Sequence, residues 1–156
     1  MLAIRHSLVH RLISLDSATL KICLISDELQ KKMNQFRYRK EKTIAAIILK
    51  IVKNTQELCV DEELEDCTIE DLRESLPDQQ PRYVLISYKL DHADGRVSYP
   101  LCLVFISPQG CSPELQMMYA GSKNNLVQNS GVSKTFEIRD LEDLTTELLE
   151  EKLLAK

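Results

Sequence analysis

Residues 101–106, LCLVFI, are apolar at every position. A strand with one face in water alternates apolar and polar side chains. An unbroken run of strand formers instead needs cover on both faces. Such a strand lies inside a sheet, with helices packed over it. A second run, IAAIILKIV at 44–52, is rich in β-branched residues, lacks a helix cap and reads as another buried strand. The expected fold class is therefore α+β, a central mixed sheet flanked by helices.

Local signals supply the remaining elements. Ser26 can cap a helix reaching to about Lys40, with Asp27 and Glu28 in its first turn and Leu29, Met33 and Phe36 turned inward. Lys53, Asn54 and Thr55 make a turn, and residues 57–61 pair back as a strand. Thr68 and Asp71 hold capping-box positions for a short helix over 68–76, which Pro77 ends. Two longer strands, 83–90 and 97–106, flank the hairpin signal Asp94-Gly95. KTFEIR at 134–139 alternates as a last strand, with Phe136 and Ile138 inward. Asp140 is the expected cap of a final helix whose stripe is Leu141, Leu144 and Leu148, with Leu149 beside it. Glu142, Asp143, Glu147, Glu150 and Glu151 should face solvent.

The 156 residues suffice for one domain with a real core and argue against two. A net charge of −4 argues against general nucleic-acid binding. No apolar run is long enough to cross a bilayer. The five cysteines are odd in number and form no C-x-x-C pair, which suits free thiols in a reducing compartment. Residues 1–17, MLAIRHSLVHRLISLDS, contain no acid before Asp16. They read as a targeting peptide, a disordered tail or translated upstream sequence. Only two arginines support targeting, so an extra tail preceding a domain over 18–156 is the expected organisation.

Catalytic signals are sparse. His6 and His10 fall in the N-terminal stretch and His92 in a hairpin loop, with no nucleophile placed beside any of them by a known motif. The four glycines are scattered and form no phosphate-cradling loop. Metal-ligand spacing is missing, and no cofactor is implied. The acids of DEELED at 61–66 read as a solvated loop more readily than as a weak cation site. A thiol enzyme built from Cys102 or Cys111 with His92 meets the objection that Cys102 lies in the expected core strand, where thiols are inert.

Residues 112–128, SPELQMMYAGSKNNLVQ, read as one helix with two faces. Ser112 is the cap, Pro113 suits the first helical position, and Glu114 complements the helix dipole. Leu115, Met118, Tyr119, Ser122 and Leu126 share a side that can bury. The other side carries Glu114, Met117, Gly121, Asn124 and Gln128. One apolar side chain beside a bare glycine is either a stray Met on a surface helix or a place for another protein to approach. The basic run Arg37, Arg39, Lys40 and Lys42 is equally open: it can complement the end of the first helix or meet an acidic partner.

Several motifs then occur together: FRYRKE at 36–41, QPRYV at 80–84, DGRVSYPLC at 94–102, MMYAGSKN at 117–124 and FEIRD at 136–140. Their residues and order resemble the glia maturation factors, a branch of the actin-depolymerising factor homology family that includes cofilin. The resemblance runs from about Ala18 to Leu154. It implies that family's mixed sheet between helices and no enzymatic activity. It implies a cytoplasmic, monomeric regulator of the actin cytoskeleton that binds the actin-related protein 2/3 complex, releases filament branches and inhibits branched nucleation. Actin itself would be bound weakly or not at all. The alternative within the family is a cofilin-like protein that severs or depolymerises filaments. The resemblance assigns partner contacts to Glu114, Gln116, Met117, Gly121, Lys123 and Asn124, and to Arg37, Arg39 and Lys40. It offers the hairpin at 91–96 as a second contact. In cofilin-like members a basic residue precedes the Met; here Gln116 stands there. The family usually carries more positive charge near Asn34, Gln35 and Asn125. Residues 1–17 extend beyond its usual start, where a serine can be phosphorylated, a position Ser17 would approximate.

Overall fold

A computed structural model describes residues 23–155. The expectations for residues 1–17, including Ser17 and the boundary at 18, lie outside the described residues.

The elements in order are α1 (Asp27–Arg37), β1 (Ala45–Val52), β2 (Glu57–Leu64), α2 (Ile69–Glu74), β3 (Arg82–Ser87), β4 (Leu90–Asp91), β5 (Val97–Ser98), β6 (Leu101–Ile106), α3 (Pro113–Ser130), β7 (Lys134–Ile138) and α4 (Thr146–Leu154), with a 3-10 turn at Leu141–Asp143. Five strands form one sheet in the order β2-β1-β3-β6-β7. The pairs are antiparallel except β6 with β7, which is parallel. A parallel pair cannot be closed by a tight turn, and α3 makes the required crossover.

Strand alternation sends β-sheet side chains into two cores. Ile47, Leu49, Tyr83, Leu85, Leu103 and Phe105 face α1 and α3, packing with Leu29, Met33, Phe36, Met118, Tyr119 and Leu126. Ile48, Val84, Ile86, Cys102, Val104 and Ile106 face α2 and α4, packing with Ile69, Leu72, Leu149 and Leu153. Residues 102–106 are buried throughout, which accounts for the unbroken apolar run. The mixed sheet between helices is as expected.

Several boundaries differ from expectation, each for a local reason. α1 stops at Arg37 because Tyr38 leaves the helical region at φ −105° and ψ 19°. β2 runs on to Leu64, so Asp61, Glu62 and Glu63 belong to a strand. They are engaged there: Asp61 with Arg82 at 3.1 Å and Lys50 at 3.6 Å, Glu63 with Lys32 at 3.0 Å, and Glu62 with the Ser75 hydroxyl at 3.3 Å. The two long strands break near the hairpin. Pro100 has no N–H to extend the ladder, although its carbonyl still accepts from Tyr88 N at 3.1 Å. β4 and β5 consequently form a separate two-stranded ribbon. The capping box of Thr68 and Asp71 on α2 is present as expected.

The C-terminal helix starts later than expected. Asp140 caps only the 3-10 turn, accepting from Glu142 N at 3.0 Å. Thr145 caps α4, accepting from Leu148 N at 3.1 Å, after Leu144 adopts an extended ψ of 92°. The buried stripe becomes Leu149 and Leu153, with Leu148 half-buried. Glu150 is also half-buried, accepting from the Tyr88 hydroxyl at 2.6 Å. Leu149→Ala should lower the unfolding free energy by about 2–5 kcal/mol, as for a fully buried leucine. Leu148→Ala should lower it by much less. Equal losses in urea titrations would contradict this placement of α4.

Candidate functional site

α3 is fixed at both ends and along one side. Ser112 Oγ accepts from Leu115 N at 3.2 Å, Pro113 occupies the first turn, and Gly131 closes the helix in the left-handed region at φ 76°. Met118, Tyr119, Ser122, Leu126 and Ser130 are buried. The Tyr119 hydroxyl accepts from Ile51 N at 2.8 Å, and the Tyr83 hydroxyl donates to the Tyr119 carbonyl. Ser122 Oγ accepts from Cys23 N at 2.9 Å and donates to the Met118 carbonyl at 3.0 Å. These bonds hold the rotation of α3 about its axis.

The rotation decides which residues remain outside. Glu114, Met117, Gly121, Asn124 and Gln128 are all exposed, as the two-faced pattern predicts. Met117 is 68% exposed, and its neighbour Met118 is 2% exposed. Gln116 is half-buried, and its amide donates to Ser107 Oγ at 3.1 Å, fastening the start of α3 to the end of β6. Lys123 is half-buried on the flank. Glu114 lies 3.5 Å from Lys53, an exposed pair that adds little stability.

The basic run does not stay together. Arg37 and Lys40 are exposed. Arg39 is turned inward, with its side chain 7% exposed. Its guanidinium donates to the Thr43 carbonyl at 2.9 Å, the Thr43 hydroxyl at 3.1 Å and Glu65 at 2.8 Å. Because the chain leaves the helix at Tyr38, Arg39 no longer lies on the outer face of α1. It braces the α1–β1 connection instead. The Arg37 guanidinium carbon sits 5.1 Å from the centre of the Tyr38 ring, and Tyr38 is itself 68% exposed. Arg37 also lies against Gly131, so α1 and the C-terminal end of α3 meet there. Sequence reasoning passed over Tyr38 and Gly131. The helix-ending glycine was a usable signal for the second; nothing local signalled that Tyr38 points outward.

At the hairpin, Asp94 pairs with Arg96 at 2.8 Å, and that contact holds the Asp94 carboxyl below its usual range. His92 shares a hydrogen bond of 2.7 Å with Ser98. Cys102 is fully buried in β6, and burial pushes its thiol up to about 12, far from a reactive thiolate. Among the described residues no group of three His, Cys, Asp or Glu side chains could hold a metal ion. A cleft of about 630 Å³ between α2 and the 3-10 turn is lined by both signs of charge, including Arg73, Asp78, Arg139 and Glu142. The feature that remains is a rigid helix face with an exposed methionine, suited to contact with another protein.

Comparison with known proteins agrees with this fold. Residues 22–154 match the family described as cofilin/tropomyosin-type actin-binding protein. The chain is 54% identical to human glia maturation factor beta over 137 residues, covering 88% of this chain and 96% of that protein. It is 42% identical to glia maturation factor of Drosophila melanogaster, covering 85% and 96%. The solution structure of glia maturation factor from Caenorhabditis elegans superposes with a TM-score of 0.76 at 47% identity, covering 85% of this chain and 96% of that one. The fold and the matched residues define a cofilin-type actin regulator. Within that class, the chain belongs to the glia maturation factor family. No helix among the described residues is long and apolar enough to cross a membrane.

The thiol environments yield a direct check. Cys59 is half-exposed, whereas Cys23, Cys67, Cys102 and Cys111 are buried. Alkylation of the native protein at neutral pH should modify Cys59 first and leave Cys102 untouched until unfolding. Fast labelling of Cys102 in the native state would contradict its place in the sheet.

Proposed function

We propose that this protein binds the actin-related protein 2/3 complex, promotes release of actin filament branches and inhibits branched nucleation. The docking face is Glu114, Met117, Gly121 and Asn124 on α3, flanked by Gln116 and Lys123, with Arg37 and Lys40 at the far end. The observation that carries the reading is the exposure of Met117 beside Gly121 on a helix whose rotation is locked. A flexible, polarizable side chain next to a residue without a Cβ lets a partner surface come close and adapt to it. Gln116, where cofilin-like relatives carry a base, supports weak or absent binding of actin itself. The half-buried amide of Gln116 serves the scaffold, so it presents no charge to a partner. The protein acts as a monomer in the cytoplasm, on the actin cytoskeleton.

Arg39 is reassigned. Its two terminal nitrogens are engaged inside the molecule while its buried Nε has no partner, so it orders the connection that carries Lys40. The hairpin at 91–96, which β4 and β5 present at the surface, is a second contact in this reading.

The test is a branch-dissociation assay with the purified complex, run beside pelleting with pure actin. Wild-type protein should accelerate loss of branches and leave pure filaments intact. Severing of pure filaments would favour the cofilin-like alternative. Met117→Glu should weaken binding to the complex by about 2 kcal/mol or more, the loss typical of a central contact residue, with an unchanged melting temperature. Arg39→Ala should do the reverse, lowering stability by about 1–3 kcal/mol with little direct effect on affinity. Arg37→Ala with Lys40→Ala should weaken binding most at low salt, where screening is least. Insensitivity to salt would assign those two residues to helix capping alone.

A further inference from the structure

Arg37 differs from the other cations of the basic run in how it is held. An ideal Cβ on Gly131 would lie 2.7 Å from the Arg37 Cζ, Nε and Nη1 alike. Equal distance to three atoms means that the guanidinium presents its flat face to the glycine. The space it occupies exists only because Gly131 has no side chain. Gly131 is in turn required there, since φ 76° closes α3 in the left-handed region. The Tyr38 ring stands 5.1 Å from the same guanidinium, a cation–π distance. Arg37 is exposed, and among the described residues no hydrogen bond or ion pair engages it.

A guanidinium carries its N–H groups in its plane, pointing outward from the edge. Packing the face against Gly131 therefore leaves the edge donors available. The side chain has already lost much of its rotamer freedom to Gly131 and Tyr38, so forming the fork costs less entropy on binding. Lys40 and Lys42 follow Arg37 closely in sequence and are exposed without an ion-pair partner among the described residues, with the Glu41 carboxylate between them accepting from Lys40 N.

We infer that Arg37 is a preorganised receptor for a carboxylate, an Asp or Glu side chain of the docked partner, gripped through a two-pronged hydrogen bond. Gly131 and Tyr38 are its positioning residues. The inference rests on the docking reading above and adds a second anchor to it. Gly131 lies 14 residues beyond Met117 on the same helix, which is about 21 Å at about 1.5 Å per residue. A partner would thus be read at two separated points, an apolar one at Met117 and a planar acidic one at Arg37. The cation also complements the C-terminal end of the α3 dipole. A lysine at 37 would serve that purpose equally, which separates the two roles.

The test measures binding of the full chain to the purified actin-related protein 2/3 complex for wild type, Arg37→Lys, Tyr38→Leu and Met117→Glu, each with its melting temperature. Arg37→Lys keeps the charge and loses the fork; binding should fall roughly tenfold or more with stability unchanged. Tyr38→Leu keeps apolar bulk and removes the π face; binding should fall about two- to fivefold. Wild-type affinity in Arg37→Lys, with binding lost in Met117→Glu, would overturn the carboxylate receptor and leave the docking face standing. Wild-type affinity in all three variants would overturn the docking face itself.

Discussion

At the end of β1 the backbone N–H of Ile51 has no strand to meet on the β3 side, because β3 pairs with β1 only as far as Leu49 with Tyr83. The Tyr119 hydroxyl of α3 accepts that N–H at 2.8 Å. The Tyr119 ring packs against Tyr83 and Phe105, with centroids 5.2 and 6.3 Å away, and its carbonyl accepts from the Tyr83 hydroxyl. One side chain thus closes the edge of a hydrogen-bonded ladder and seats the helix on the sheet. An unsatisfied buried N–H costs about 1–3 kcal/mol, so other rotations of α3 are disfavoured beyond their loss of packing. Ser122 adds a second fastening to Cys23, where the chain enters the described fold. Leu24 continues from there along the start of β2, bonded to Gln56 and Leu58.

The proposed docking depends on this seating. A helix turns through about 100° per residue, so Met117 stays outside and Met118 in the core only while the rotation is held. The same fixation sets Gly131 at the far end against Arg37. α1 therefore joins α3 in one rigid surface, with an apolar point and a basic point on it. Rigid elements hold contact residues more precisely than loops do.

Much of this was legible in the residues. Ser112, Pro113 and the spacing of Leu115, Met118, Tyr119, Ser122 and Leu126 define α3 and its inner face, because capping and periodicity are local. Thr68 and Asp71 announce α2 for the same reason. Local signals misled where tertiary contacts choose between options. Arg39 follows Arg37 by two residues and looks equivalent to it, yet Thr43 and Glu65 bind its terminal nitrogens once the chain leaves the helix. The acids after Cys59 looked like a solvated loop; Arg82, Lys50 and Lys32 make them part of a strand. Asp140 and Thr145 are both competent caps, and packing of Leu149 and Leu153 beneath the sheet selects Thr145 for α4. Pro100 was a visible break that the strand-forming residues on either side concealed.

Adjacent methionines, one exposed and one buried, let the docking role of α3 be read directly. Peroxide oxidation footprinting, read by mass spectrometry with and without the actin-related protein 2/3 complex, reports the two sulfurs separately. Met117 should oxidise quickly in the free protein and be protected in the complex, while Met118 stays slow in both. Oxidation of Met117 at the same rate with and without the complex would contradict the assignment of α3 as the docking helix.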